Sequence, residues 1–196
     1  MISKHMKIAI VLLVLLAIFL AIYNRALKKH AERLQQKVVD LRPIAPPVAG
    51  PTQTITVFVA HDEDGTLRPQ QVKVALPAET TLRVRQIVRA LFSVYLDRKT
   101  THPIGEGSDV RDVYLLNNDS LVIDLNAPFA DAHRSGIFVE ELTLFSLVKS
   151  VSANVPNVAR VKFLIDGKER ETLAGHADLK QFYDVSLVTE SAKALQ

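Results

Sequence analysis

Residues Ile8 to Tyr23 read IAIVLLVLLAIFLAIY, sixteen positions without a charge, a glycine or a proline. A surface helix of a water-soluble fold keeps a polar face, and this run has none. As a helix it spans roughly 24 Å, somewhat short of a bilayer core of about 30 Å. Met6, Asn24 and the apolar stems of Lys7 and Arg25 make up the difference. The run ends in Ile22-Tyr23-Asn24-Arg25, with no A-x-A-like cleavage pattern, so it reads as an uncleaved anchor rather than a signal peptide. The expectation is a cytoplasmic tip and a transmembrane helix over 1–24, with Tyr23 at the interface.

Behind the anchor, Leu27, Ala31, Leu34, Val38 and Leu41 recur by four, three, four and three, the seam spacing of a coiled coil. A helical stalk over 25–41 follows, either weakly self-associating through this seam or simply solvated. Pro43, Pro46, Pro47 and Pro51 then break the helix, which makes 42–54 an extended linker. The formal net charge of +3 is unevenly divided: through Thr54 the balance is +6, and from Ile55 onward it is −3. A mildly acidic domain is a poor match for nucleic acid. The absence of cysteine removes disulfides, thiolate metal sites, cysteine nucleophiles and a lipoprotein cysteine together.

From residue 55 to 184 the patterns describe one α+β domain. Strands are expected over Ile55–Ala60 and Gln71–Leu76, joined through the polar turn His61 to Gly65. A helix over Leu82–Asp97, with Thr81 as N-cap, buries Val84, Ile87, Val88, Leu91, Val94 and Tyr95. A hairpin pairs Val110–Leu116 with Leu121–Leu125 across Asn117-Asn118-Asp119. A second helix over Ser135–Asn154 buries Leu144, Leu147, Val148, Val151 and Val155. A last hairpin joins Val158–Ile165 to Glu169–Leu173 through Asp166-Gly167. The expected architecture is a mixed β-sheet packed by two helices, with 185–196 as a C-terminal tail.

The closing stretch Val158-Ala159-Arg160-Val161-Lys162-Phe163-Leu164-Ile165-Asp166-Gly167, followed by Glu171-Thr172-Leu173-Ala174-Gly175-His176-Ala177-Asp178-Leu179, resembles the closing motif of the GerMN domain of bacterial sporulation and germination proteins. Val122 to Asn126, Glu141-Leu142 and Ser146-Leu147-Val148 fit that family as well. The resemblance implies a fold similar to the ring-building domains of spore and secretion channels. It also implies an extracytoplasmic, non-enzymatic domain that works through protein contacts or ligands. Two departures stand out: a helical anchor in place of a lipoprotein cysteine, and one copy of the domain instead of two. The flanking charges alone lean toward a cytoplasmic domain, with Lys4 and Lys7 before the span and Arg25, Lys28, Lys29 and Arg33 after it. The resemblance reverses that leaning, since long domains translocate largely regardless of flanking charge.

Candidate chemistry is sparse. His176 and Asp178 fall short of the three or four ligands a metal needs; the expectation is that Gly175 permits a tight bend that His176 braces onto backbone. Asp62, Asp64 and Gly65 open like a calcium loop, but no glutamate closes it. Glu140 and Glu141 suit the positive end of the second helix. His61, His102 and His133 fall in expected loops and read as surface residues. No catalytic residue, metal or cofactor is expected. The structural motif is Asp166, Gly167, Gly175, His176 and Asp178. Expected partners are the membrane, other envelope proteins or a second copy, with a cell-wall glycan or other small molecule as the alternative ligand and a hydrolase as the least favoured reading.

Overall fold

The computed structural model describes residues 50–194 and, before them, Tyr23 alone. The predicted anchor, the stalk residues Leu27, Ala31, Leu34, Val38 and Leu41, and the linker as far as residue 49 lie outside the described residues. Among the described residues no helix is long and apolar enough to cross a membrane.

Among the described residues ten elements follow one another: β1 (Thr52–His61), β2 (Thr66–Ala75), α1 (Thr80–Tyr95), β3 (Val110–Leu116), β4 (Ser120–Leu125), α2 (Ala127–Asp131), α3 (Ile137–Ser152), β5 (Arg160–Ile165), β6 (Tyr183–Asp184) and α4 (Val185–Ala194). β1 and β2 form an antiparallel ribbon of their own. The other strands make a mixed sheet in the order β3-β4-β5-β6, with β4 and β5 parallel. A parallel pair needs a long crossover, and α2 and α3 supply it. β4 is buried at all six positions, as a central strand must be. In β5 the period of two sends Val161, Phe163 and Ile165 into the core.

The single expected sheet is thus split, and the reason lies in α3. Val139 apart, α3 is buried from Glu140 through Val151 except at Glu141 and Phe145, so it is a central helix rather than an amphipathic cover. Its apolar residues Leu144, Leu147, Val148 and Val151 pack as the spacing predicts. Its polar residues occupy the β1 edge that a neighbouring strand would use. The Phe58 amide donates to Ser150 Oγ (2.8 Å), and Thr56 exchanges two hydrogen bonds with the Asn154 side chain just past the helix (3.3 and 2.7 Å). The Ala60 amide donates to the buried Tyr95 hydroxyl (2.9 Å), which in turn meets Ser146 Oγ (2.5 Å).

Other differences from the sequence reading are local. β2 begins at Thr66, five residues early, and carries Pro69 on an exposed edge where no donor is needed. The N-cap of α1 is Glu79, whose carboxylate accepts from the Thr81 and Leu82 amides (2.9 and 2.8 Å); Thr81 lies inside the helix. α3 starts at Ile137, after the separate short helix α2. Glu169–Leu173 is not a strand. The Asp166-Gly167 turn forms and closes with an Ile165–Lys168 bridge, but the chain then leaves β5, because Leu173, Ala177 and Leu179 enter the core. β6 pairs antiparallel with β5 in its place. The expected tail is helix α4, which buries Val188 and Ala192 one turn apart.

Candidate functional site

The structural motif read from the sequence splits into two pinned turns. In the first, Asp166 (φ 51°) and Gly167 (φ 72°) give the two positive φ values of a type I′ hairpin turn. The Gly167 amide donates to the buried Asp124 carboxylate (2.7 Å), which also faces Arg111 Nε at 3.3 Å. Asp166 accepts from the Ala127 amide (3.2 Å) and from Arg111 (3.1 Å). Asp124 lies within Val122 to Asn126, so two separated pieces of the family-like pattern hold each other.

The second turn, Ala174 to Ala177, wraps a carboxylate. Glu140 has no solvent exposure, and its Oε2 accepts from the amides of Ala174 (2.9 Å), His176 (3.0 Å) and Ala177 (2.9 Å). Its Oε1 accepts from the Gly136 amide (3.1 Å) and faces His176 Nδ1 (3.0 Å). Burial alone disfavours the ion, but the Ala174 amide, the His176 ring and the remaining amides outweigh it and hold the carboxyl down to about 2. Gly175 (φ 125°) supplies the backbone conformation that aims three amides at one oxygen. The expected bracing of the turn by His176 onto backbone is therefore corrected: a buried carboxylate braces it, mostly through main-chain amides. The helix-end reading of Glu140 holds only for its bond to Gly136.

Of the histidines expected at the surface, His61 is half-buried, while His102 and His133 are buried and joined. His102 is fully buried; its Nδ1 lies 2.5 Å from Asp62 Oδ1 and its Nε2 2.6 Å from Thr143 Oγ1. His133, also buried, reaches the same hydroxyl through Nε2 (2.8 Å) and donates from Nδ1 to the Arg134 carbonyl (2.8 Å). Arg134 pairs with the second oxygen of Asp62. Burial pushes His102 down to about 4, with His61 adding to the effect, and lowers His133 too. An acid, an imidazole and a hydroxyl in line have the form of a catalytic relay, but Thr143 is fully buried, its hydroxyl enclosed by both imidazoles and the Val139 carbonyl (2.9 Å), so no substrate reaches it. Asp64 belongs to the hairpin turn, bonding Thr66 and Arg68. Among the described residues, no three His, Asp or Glu side chains gather as metal ligands.

Beside the second turn lies an open groove of about 440 Å³, bounded by the 176–184 segment, α3 and α4. Phe145, Phe182, Tyr183 and Leu187 form its apolar surface; Glu141, Asp178 and Asp184 add carboxylates, and no lysine or arginine among the described residues lines it. The nearby described cations already have partners, some of them groove residues. Lys180 pairs with Glu171, Lys162 with Glu169, and Arg160 stacks over Phe182 while its Nε donates to Ser120. Burial and the charges of Asp178 and Glu141 raise the Tyr183 phenol above its ordinary value. Of the predicted motif, His176 and Asp178 line this groove; Asp166, Gly167 and Gly175 do not.

The structure is similar to that of a candidate lipoprotein from Clostridium perfringens, at 14% identity and a TM-score of 0.48, over 70% of this chain and 89% of that one. Two structures of the sporulation protein GerM from Bacillus subtilis are also similar. Its tandem GerMN domains match at 13% identity and a TM-score of 0.50, over 67% of this chain and 45% of that one, so this chain spans less than half of the tandem. The first GerMN domain alone matches at 13% identity and a TM-score of 0.49, over 66% of this chain and 95% of that one. No curated protein matches the sequence. The model of the Germane family, described as sporulation and spore germination, matches residues 56–171, which take in most of β1, the Asp124–Gly167 pairing and Glu140. The chain belongs to the Germane family, whose members include the GerMN domains of sporulation proteins.

Proposed function

We propose that this chain is a membrane-anchored, extracytoplasmic binding and scaffolding module of the bacterial cell envelope, acting through protein contacts. The observation that carries this reading is the groove between the Glu140-held turn and α4, a concave surface on a rigid support. The apolar run Ile8–Tyr23 supports the anchor, and the family supports the envelope setting and a process related to sporulation or germination. The partner is another envelope protein or a second copy, as the likeness to ring-building domains suggests. The aromatic rings of Phe145, Phe182 and Tyr183 favour one second reading, a cell-wall glycan stacked in the same groove. A photo-crosslinking residue in place of exposed Leu187, in the full chain in its membrane, tests the proposal. Protein adducts there, absent with the same residue at exposed Gln70 on β2, are the expected result; adducts at neither position defeat it. An alkaline phosphatase fused after Gln196 tests the orientation, and activity in intact cells is expected.

A further inference from the structure

The groove sets apolar surface beside polar groups, and among the described residues the carboxylates are its only Asp, Glu, Lys or Arg lining, a combination that matches one kind of side chain. Lysine and arginine carry an apolar stem and a cationic head, and they bind well where the stem lies along hydrocarbon or aromatic surface and the head meets carboxylate. Phe145 and Leu187 offer that surface, Leu187 being 60% exposed with nothing of the described chain over it. Glu141 and Asp178 stand beside it, and neither pairs with a lysine or arginine among the described residues. Asp178 is already oriented, since its Oδ1 accepts from the Lys180 amide (2.7 Å) and its carbonyl from the Tyr183 hydroxyl (2.5 Å). The sheet also ends here: β6 is its last strand, and both of its residues, Tyr183 and Asp184, line the groove. A sheet edge is a template for an extended chain, which separates a peptide from a free amine as the occupant. The volume lies within the roughly 300–1,000 Å³ of ordinary ligand sites.

We infer that the groove docks an extended segment of a partner protein, with a lysine or arginine stem along Phe145 and Leu187 and its head at Glu141 and Asp178. This inference rests on the protein-binding reading above and adds the chemistry of the partner. Three probes test it on the full chain in detergent micelles: a capped pentapeptide of alternating valine and lysine, its twin with glutamate for lysine, and lysine amide. The lysine peptide should bind saturably by calorimetry, the glutamate twin should not, and lysine amide should compete far more weakly than the peptide. The double variant Glu141→Gln, Asp178→Asn should weaken the peptide about tenfold, the scale of losing charge-assisted contacts. Both changes are nearly isosteric, and asparagine keeps the acceptor for the Lys180 amide. Equal binding of the glutamate twin, or unchanged affinity of a folded double variant, overturns the inference. Lysine amide competing as well as the peptide overturns the extended segment, and a chitooligosaccharide displacing the peptide hands the groove to glycan. If the lysine peptide fails while Leu187 still crosslinks to protein, the charge assignment falls and the binding module stands. If both fail, both fall.

Discussion

Glu140 and Glu141 are neighbours of the same residue type with opposite fates. Glu140 is sealed beneath the Ala174–Ala177 turn and satisfies four amides and a histidine, whereas Glu141 is exposed at the groove. Glutamine at 140 presents an NH₂ to one of those donors, so Glu140→Gln should lower stability by about 3 kcal/mol, the scale for spoiling a buried charged contact. Glu141→Gln should stay within about 0.5 kcal/mol, as surface changes do. Urea unfolding of both variants checks this, and equal losses would refute the assignment. His176→Ala keeps the amide that matters and removes a ring that is partly exposed; a loss of about 1 kcal/mol or less is expected. Gly167 has a different vulnerability. A side chain there meets only Asp124 Oδ2 at 3.8 Å, so space is not the obstacle; φ is. Gly167→Val should cost on the order of 1–3 kcal/mol, measured by thermal melting.

The helix α3 and the ribbon strand β1 form the least obvious partnership in the molecule. The strand's Ile55, Val57 and Val59 alternation was legible, and so were the helix's apolar positions, because burial of each is written as a period. The docking of polar helix residues onto the strand's hydrogen-bonding edge was not, since Ser146, Ser150 and Asn154 look like ordinary solvent-facing positions until their partners are known. The same holds for His102, whose partners Asp62 and Thr143 are distant in sequence, and for His133, which meets Thr143 across the start of α3. The Asp166-Gly167 turn was legible because its geometry is local; the departure of residues 169–182 from β5 was not, because long-range burial of Leu173 and Leu179 decides it. Ser150→Ala leaves the Phe58 amide without its acceptor and should cost about 1–3 kcal/mol. Native-state hydrogen exchange at Phe58 should accelerate in that variant while the β3–β4 amides stay protected; uniform acceleration would mean a merely global loss.

The buried histidines and Glu140 set how the whole domain meets acid. His102 sits at about 4 in the fold against 6.5 in an open chain, so the unfolded state takes its proton first. Stability from this source is complete above about pH 6.5 and declines as pH falls toward 4, by up to ~3 kcal/mol. Glu140 sits at about 2 against 4.5, so its contribution is complete above pH 4.5 and is lost as pH falls toward 2, on the order of 2–3 kcal/mol. Urea midpoints should therefore fall in two successive stages, and His102→Gln should shrink the upper one, to which His133 also contributes, and leave the lower one unchanged. A profile flat from pH 6.5 to 4.5 in the unaltered chain would contradict the buried neutral imidazole. The β1 edge carries a further implication for biogenesis. Its Phe58 and Thr56 groups are satisfied by side chains 92 and 98 residues downstream. Synthesis runs from the N-terminus, so the ribbon emerges long before α3 does. Until Asn154 has followed, that edge is an open template for strand addition, and the hazard lasts for the length of that delay.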